Sequence, residues 1–87
     1  MRIVFTTKER ELLQSMLIDD SGVTEGLKAA KPRNGKYATD CSLDSLELLI
    51  NSIAAEANHT KSKKREKDFD ELYERLVQIQ EKAEHAL

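Results

Sequence analysis

The residues predict an α+β chain that is predominantly helical, with short N-terminal strands and a C-terminal antiparallel helical hairpin. Three observations point there. The opening Arg2-Ile3-Val4-Phe5 is β-branched and aromatic. The one proline and the Asn34-Gly35 step fall together at residues 31–35. From Ser42 onward there is neither Gly nor Pro, and apolar residues recur in alternating steps of three and four.

The elements follow in order. Residues 2–5 read as a strand. Thr6 then offers a helix cap to which Glu9, three residues on, reaches back. Leu12, Leu13, Met16 and Leu17 share one face of the helix that follows, and Asp19-Asp20-Ser21-Gly22 breaks it. Residues 23–30 form a short second helix with Val23, Leu27 and Ala30 inward, although Gly26 at its centre costs roughly 1 kcal/mol against alanine. After the break at 31–35, residues 36–41 alternate as a second strand, with Tyr37, Thr39 and Cys41 on one side and Ala38 and Asp40 on the other.

Ser42 caps the third helix, with Asp44 and Glu47 near a first turn that favours negative charge. Its seam is Leu43, Leu46, Ile50, Ile53 and Ala57. The last helix repeats the spacing with Phe69, Leu72, Leu76, Ile79, Ala83 and Ala86, and Asp68 with Glu71 makes a box-like start. Such seams pack at shallow angles; the polar residues 58–67 either hold the turn between them, the favoured reading, or continue as one long helix. Residues 1–87 are therefore one domain: a strand–helix–turn–strand segment over 1–41 and a helical hairpin over 42–87.

A chain this short buries only ~60–65% of the surface it exposes when unfolded. Its core must come from aliphatic helix packing or be shared with a second copy. The net charge of −2 gives no overall attraction to nucleic acid or anionic lipid. Met1 to Thr7 lacks the longer apolar core of a signal peptide, and no stretch approaches the ~18 apolar residues that span a bilayer. Cys41 has no second cysteine to pair with, so a reducing cytoplasm is the expected compartment.

Chemistry-bearing patterns are few. Lys61, Lys63, Lys64, Arg65 and Lys67 form a basic cluster that can neutralise phosphates, but no aromatic is interleaved to stack a base. Its electrostatic place is the end of the third helix, where cations suit the dipole. Glu56 and His59, three apart, lie on one helix face and can converge on a metal ion. That step occurs once, so a metal site needs two copies of the chain. Cys41 behaves as a small hydrophobe unless a base stands beside it. Gly22 and Gly26 lack the Lys-Ser/Thr of a nucleotide loop.

Leu48 and Leu49 flank one seam, while Tyr73 and Val77 flank the other. This apolar surplus widens each face beyond what a two-helix pair needs. The expectation is a non-catalytic interaction or assembly module, without a cofactor, that pairs with a second copy or another protein. A nucleic-acid-associated regulator using the basic cluster is the alternative, and a metal-binding helical protein through Glu56 and His59 the third.

Overall fold

The computed structural model describes residues 1–17, 19 and 21–86. In chain order they form β1 (Arg2–Thr6), α1 (Thr7–Gln14), α2 (Val23–Ala29), β2 (Lys36–Asp40), α3 (Leu43–His59) and α4 (Lys63–His85). This is the expected α+β, mostly helical chain with a C-terminal helix pair.

The two strands pair antiparallel with Ile3 opposite Thr39 and Phe5 opposite Tyr37. Ile3 and Phe5 are buried, so the side of β2 bearing Tyr37 and Thr39 is the inner one, as the alternation predicts. The Asn-Gly step makes a two-residue turn with φ of 54° at Asn34 and 73° at Gly35. Positive φ at both central positions defines a type I′ turn, and Arg33 and Lys36 exchange both backbone hydrogen bonds across it. Beyond the ladder, Cys41 N–H donates to the Met1 carbonyl and the Met1 nitrogen donates to the Cys41 carbonyl, each at 2.8 Å.

Helix α1 starts on the expected box: Thr6 Oγ1 accepts from Glu9 N–H at 3.1 Å and the Glu9 carboxylate accepts from Thr6 N–H at 2.9 Å. It stops earlier than its apolar spacing suggests. Ser15 caps the end, its hydroxyl donating to the Leu12 carbonyl at 2.6 Å, and Met16 and Leu17 lie beyond the helix. Leu13 is buried and Leu12 and Met16 are partly so, whereas Leu17 is 91% exposed. Asp20, within the predicted break, lies outside the described residues.

The N-terminus of α2 is clasped by Asp19 and Ser21. Asp19 Oδ2 accepts from Thr24 N–H at 2.9 Å, Asp19 Oδ1 accepts from both the N–H and the hydroxyl of Ser21, and Ser21 Oγ accepts from Val23 N–H at 3.0 Å. Partial burial pushes the Asp19 carboxyl up, but the hydrogen bonds from Ser21 and Thr24 outweigh it and hold the group below its ordinary value. Gly26 has a packing reason. A Cβ there would sit 2.6 Å from Thr39 Oγ1, so only glycine lets α2 lie this close to β2.

The hairpin holds most of the core. Leu46, Leu49, Ile50, Ile53 and Ala57 of α3 meet Phe69, Leu72 and Leu76 of α4, joined by Ile3, Phe5, Leu13, Val23 and Leu27. Ile79 is half-buried against this cluster, Leu43 and Ala83 are half-buried, and Ala86 lies past the end of α4 and is exposed. The start of α4 corrects the expectation at Asp68. Ser62 is the cap, its Oγ accepting from Arg65 N–H at 3.3 Å, and the helix begins at Lys63. Asp68 is instead ion-paired with Lys8 at 3.2 Å. The connection between the helices is thus three residues, 60–62.

Arg75 makes the most extensive polar tie between α4 and the N-terminal half, beside the Asp68–Lys8 pair. Arg75 Nε donates to Glu9 Oε2 at 2.7 Å, and its Nη2 donates to Glu9 Oε1 at 2.9 Å and to the Val4 carbonyl at 3.0 Å. Its guanidinium lies 5.5 Å from the centre of the Phe5 ring. A bidentate pair of this kind fixes orientation as well as distance.

Candidate functional site

An open groove of about 800 Å³ runs along the outer side of α3. Leu48, Ser52, Ala55 and His59 succeed one another at spacings of three and four, which places them on one helical stripe. Small side chains at Ser52 and Ala55 make its floor low. Leu48 is 45% exposed at one end of the stripe.

The opposite wall comes from the segment after α1. Leu17 projects into solvent there, held in place by its own N–H, which donates to Glu56 Oε1 at 3.1 Å. Arg65 closes one end: its Nη1 donates to Ser15 Oγ at 3.0 Å and its guanidinium lies 5.1 Å from the centre of the Phe69 ring. Both walls are therefore anchored by hydrogen bonds to the groove's own surroundings.

The structure distributes the sequence-derived candidates unevenly. Leu48 is in the groove, but Leu49 is 0% exposed and belongs to the core, which corrects its assignment to an interaction surface. The reason is angular. Leu49 sits three residues after Leu46 and four before Ile53, which centres it on the buried stripe. Tyr73 is 38% exposed on α4, and Val77 is half-buried against the core.

The basic cluster is also displaced from its predicted place. Lys61 lies in the connection, while Lys63, Lys64, Arg65 and Lys67 occupy the first turns of α4, where the helix dipole disfavours positive charge. The four lysines are exposed and Arg65 is drawn onto Ser15 and Phe69. Glu56 lines the groove beside His59, with one carboxylate oxygen taken by Leu17 N–H. Among the described residues no three His, Cys, Asp or Glu side chains are grouped so as to hold a metal. Cys41 is half-buried, and that burial raises its thiol pKa, which disfavours the thiolate a nucleophile needs.

Leu17 was the residue that periodicity misassigned, since its spacing from Leu13 matches a helical inner face. The helix ends at Gln14, where Ser15 bonds back to the Leu12 carbonyl, before that spacing reaches Leu17. Compared with known proteins, the chain matches no family model, no curated sequence and no solved structure. Among the described residues, no helix is long and apolar enough to cross a membrane.

Proposed function

We propose that this chain is a non-catalytic assembly module of the cytoplasm that pairs with a second copy of itself through the outer face of α3. The observation that carries the reading is a deficit of charge. Charged residues make up 34% of the chain, yet within residues 48–60 Glu56 is the one Asp, Glu, Lys or Arg. A solvated helix face normally carries charge, and interface cores are depleted of it. On α4 the contrast is plain, for Lys63, Lys64, Glu66, Asp70, Glu71, Glu74 and Glu81 are all exposed.

A second copy is the occupant because the face is self-complementary. A two-fold interface brings one patch against itself, so the patch must supply both projection and recess. Leu17 projects beside the low floor made by Ser52 and Ala55. The face is also near neutral, with Glu56 offset by Arg65, so two copies meet without like-charge repulsion.

Light scattering over a concentration series from micromolar to near-millimolar tests this. The expected mass is that of two chains at the upper end. Leu17→Asp and Ala55→Arg, both exposed positions, are expected to return it to one chain with an unchanged circular dichroism spectrum. A one-chain mass throughout, or a dimer indifferent to both substitutions, rejects the reading.

A further inference from the structure

A second face carries a different chemistry. The outer side of the two-stranded ribbon bears Arg2, Val4 and Thr6 from β1 opposite Asp40, Ala38 and Lys36 from β2. Beside it runs the connection from α2, ending in the type I′ turn. Together they enclose a shallow recess of about 370 Å³ whose lining includes Arg2, Lys31, Arg33 and Lys36 over a floor of Val4 and Ala38.

No carboxylate lines this recess. All four cations are exposed, and among the described residues none of their side chains makes an ion pair or a hydrogen bond. Asp40 faces Arg2 across the ladder at the rim, outside ion-pair distance. In sequence, residues 26–39 contain Lys28, Lys31, Arg33 and Lys36 and no acid, and Lys28 is drawn aside to Glu25 at 3.1 Å. The ribbon brings Arg2 to the remaining three. A chain of net charge −2 thus gathers four exposed cations on this face, with Asp40 at its rim.

We infer that this face binds the phosphate backbone of a nucleic-acid duplex. The exposure of the cations decides for a polyanion over a small anion. A solvated Lys or Arg gains only ~0–1 kcal/mol from one ionic partner in water. A polyelectrolyte adds the release of its condensed counterions at every phosphate contacted. A duplex is favoured over a single strand because the lining offers no aromatic face on which an unpaired base can stack. The low Val4 and Ala38 floor lets the backbone approach the cations without a bulky side chain in the way. The two-stranded ribbon also has dimensions that a major groove about 12 Å wide admits. This inference does not depend on pairing through α3, which uses other residues.

The test is fluorescence anisotropy of the full chain with a labelled mixed-sequence DNA duplex across a salt series. With three to four phosphates neutralised, affinity is expected to fall on the order of 100-fold between about 50 and 200 mM salt. For the Lys31→Gln/Arg33→Gln variant the fall over that range shrinks to about tenfold, and binding weakens at low salt. The variant Lys61→Gln/Lys64→Gln/Lys67→Gln is expected to bind like the parent. No duplex binding at low salt overturns the inference. So does binding that is lost in the 61/64/67 variant while untouched in the 31/33 variant, or attachment to phosphatidylserine vesicles without any to the duplex. Circular dichroism of each variant shows whether it is folded, and all five positions are exposed.

Discussion

The helical hairpin and the N-terminal β–α–α–β segment are stabilised by different means. Between α3 and α4 nearly everything is apolar interdigitation, and the caps at Ser42 and Ser62 only set where each helix begins. In residues 1–41 the apolar core positions are few, namely Ile3, Phe5, Leu13, Val23 and Leu27. There the geometry is fixed by directed polar contacts: the Thr6–Glu9 box, the Asp19 clasp, the Asn34-Gly35 turn and the Arg75 latch. Apolar seams supply most of the free energy but leave sliding and rotation open, whereas hydrogen bonds with strict angles remove that freedom.

The largest expected effect tests the hairpin side of this contrast. Phe69 is fully buried, and Phe69→Ala should cost about 3–5 kcal/mol, enough to unfold much of a small domain. Urea denaturation measures it. A loss below about 1 kcal/mol would mean that the seam collapses around the gap and that its packing is not the main source of stability.

The latch comes next. Arg75→Ala should cost roughly 1–2 kcal/mol, discounted from a fully buried charged hydrogen-bond pair because the Arg75 side chain is more than a third exposed. In a double-mutant cycle with Glu9→Gln the two changes should be non-additive by about 1 kcal/mol. Additive losses would show that the Arg75–Glu9 pair itself contributes nothing to holding the two halves together.

The smallest effect sharpens the polar side. Asp19 has a folded-state pKa below its ordinary value, so the folded chain binds that proton less readily than the unfolded chain. Its contribution is present above the unfolded carboxyl value near ~3.9 and is lost as pH falls through the folded value. Asp19→Ala is therefore expected to cost about 1 kcal/mol at neutral pH. The gap from the parent should narrow in acid. A gap of constant size from pH 7 downward would assign the clasp to shape and not to charge.

The same contrast explains what was legible in the sequence. Seams written in steps of three and four over long stretches are hard to mistake, and Leu46, Ile50, Ile53, Phe69, Leu72 and Leu76 all face inward. Local caps with fixed offsets, such as Thr6 with Glu9 and the Asn34-Gly35 turn, were equally readable. Errors arose where two local signals competed. Asp68 has the chemistry of a cap, but Ser62 lies earlier and the intervening lysines have no property that forbids helix. Leu17 continues a helical spacing that Ser15 ends by bonding back to Leu12. Leu49 falls outside a single three-four line yet is buried, because a packed helix buries a stripe at least 100° wide. The charge-poor outer face of α3 could be counted in the sequence, but its groove could not, since Leu17 and Ser15 come from more than thirty residues away. The recess on the ribbon depends in the same way on the register that brings Arg2 beside Lys36.

Arg75 also bears on the order in which the chain can be completed during synthesis. During synthesis residues 2–6 emerge well before their strand partner at residues 36–40. The Val4 carbonyl must wait for residue 75 to receive its side-chain donor. Contacts so distant along the chain are formed late, and an unpaired strand is a template for another one. The nascent β1 segment therefore passes through an interval without its strand partner, and its Val4 carbonyl stays without the Arg75 donor until α4 is made.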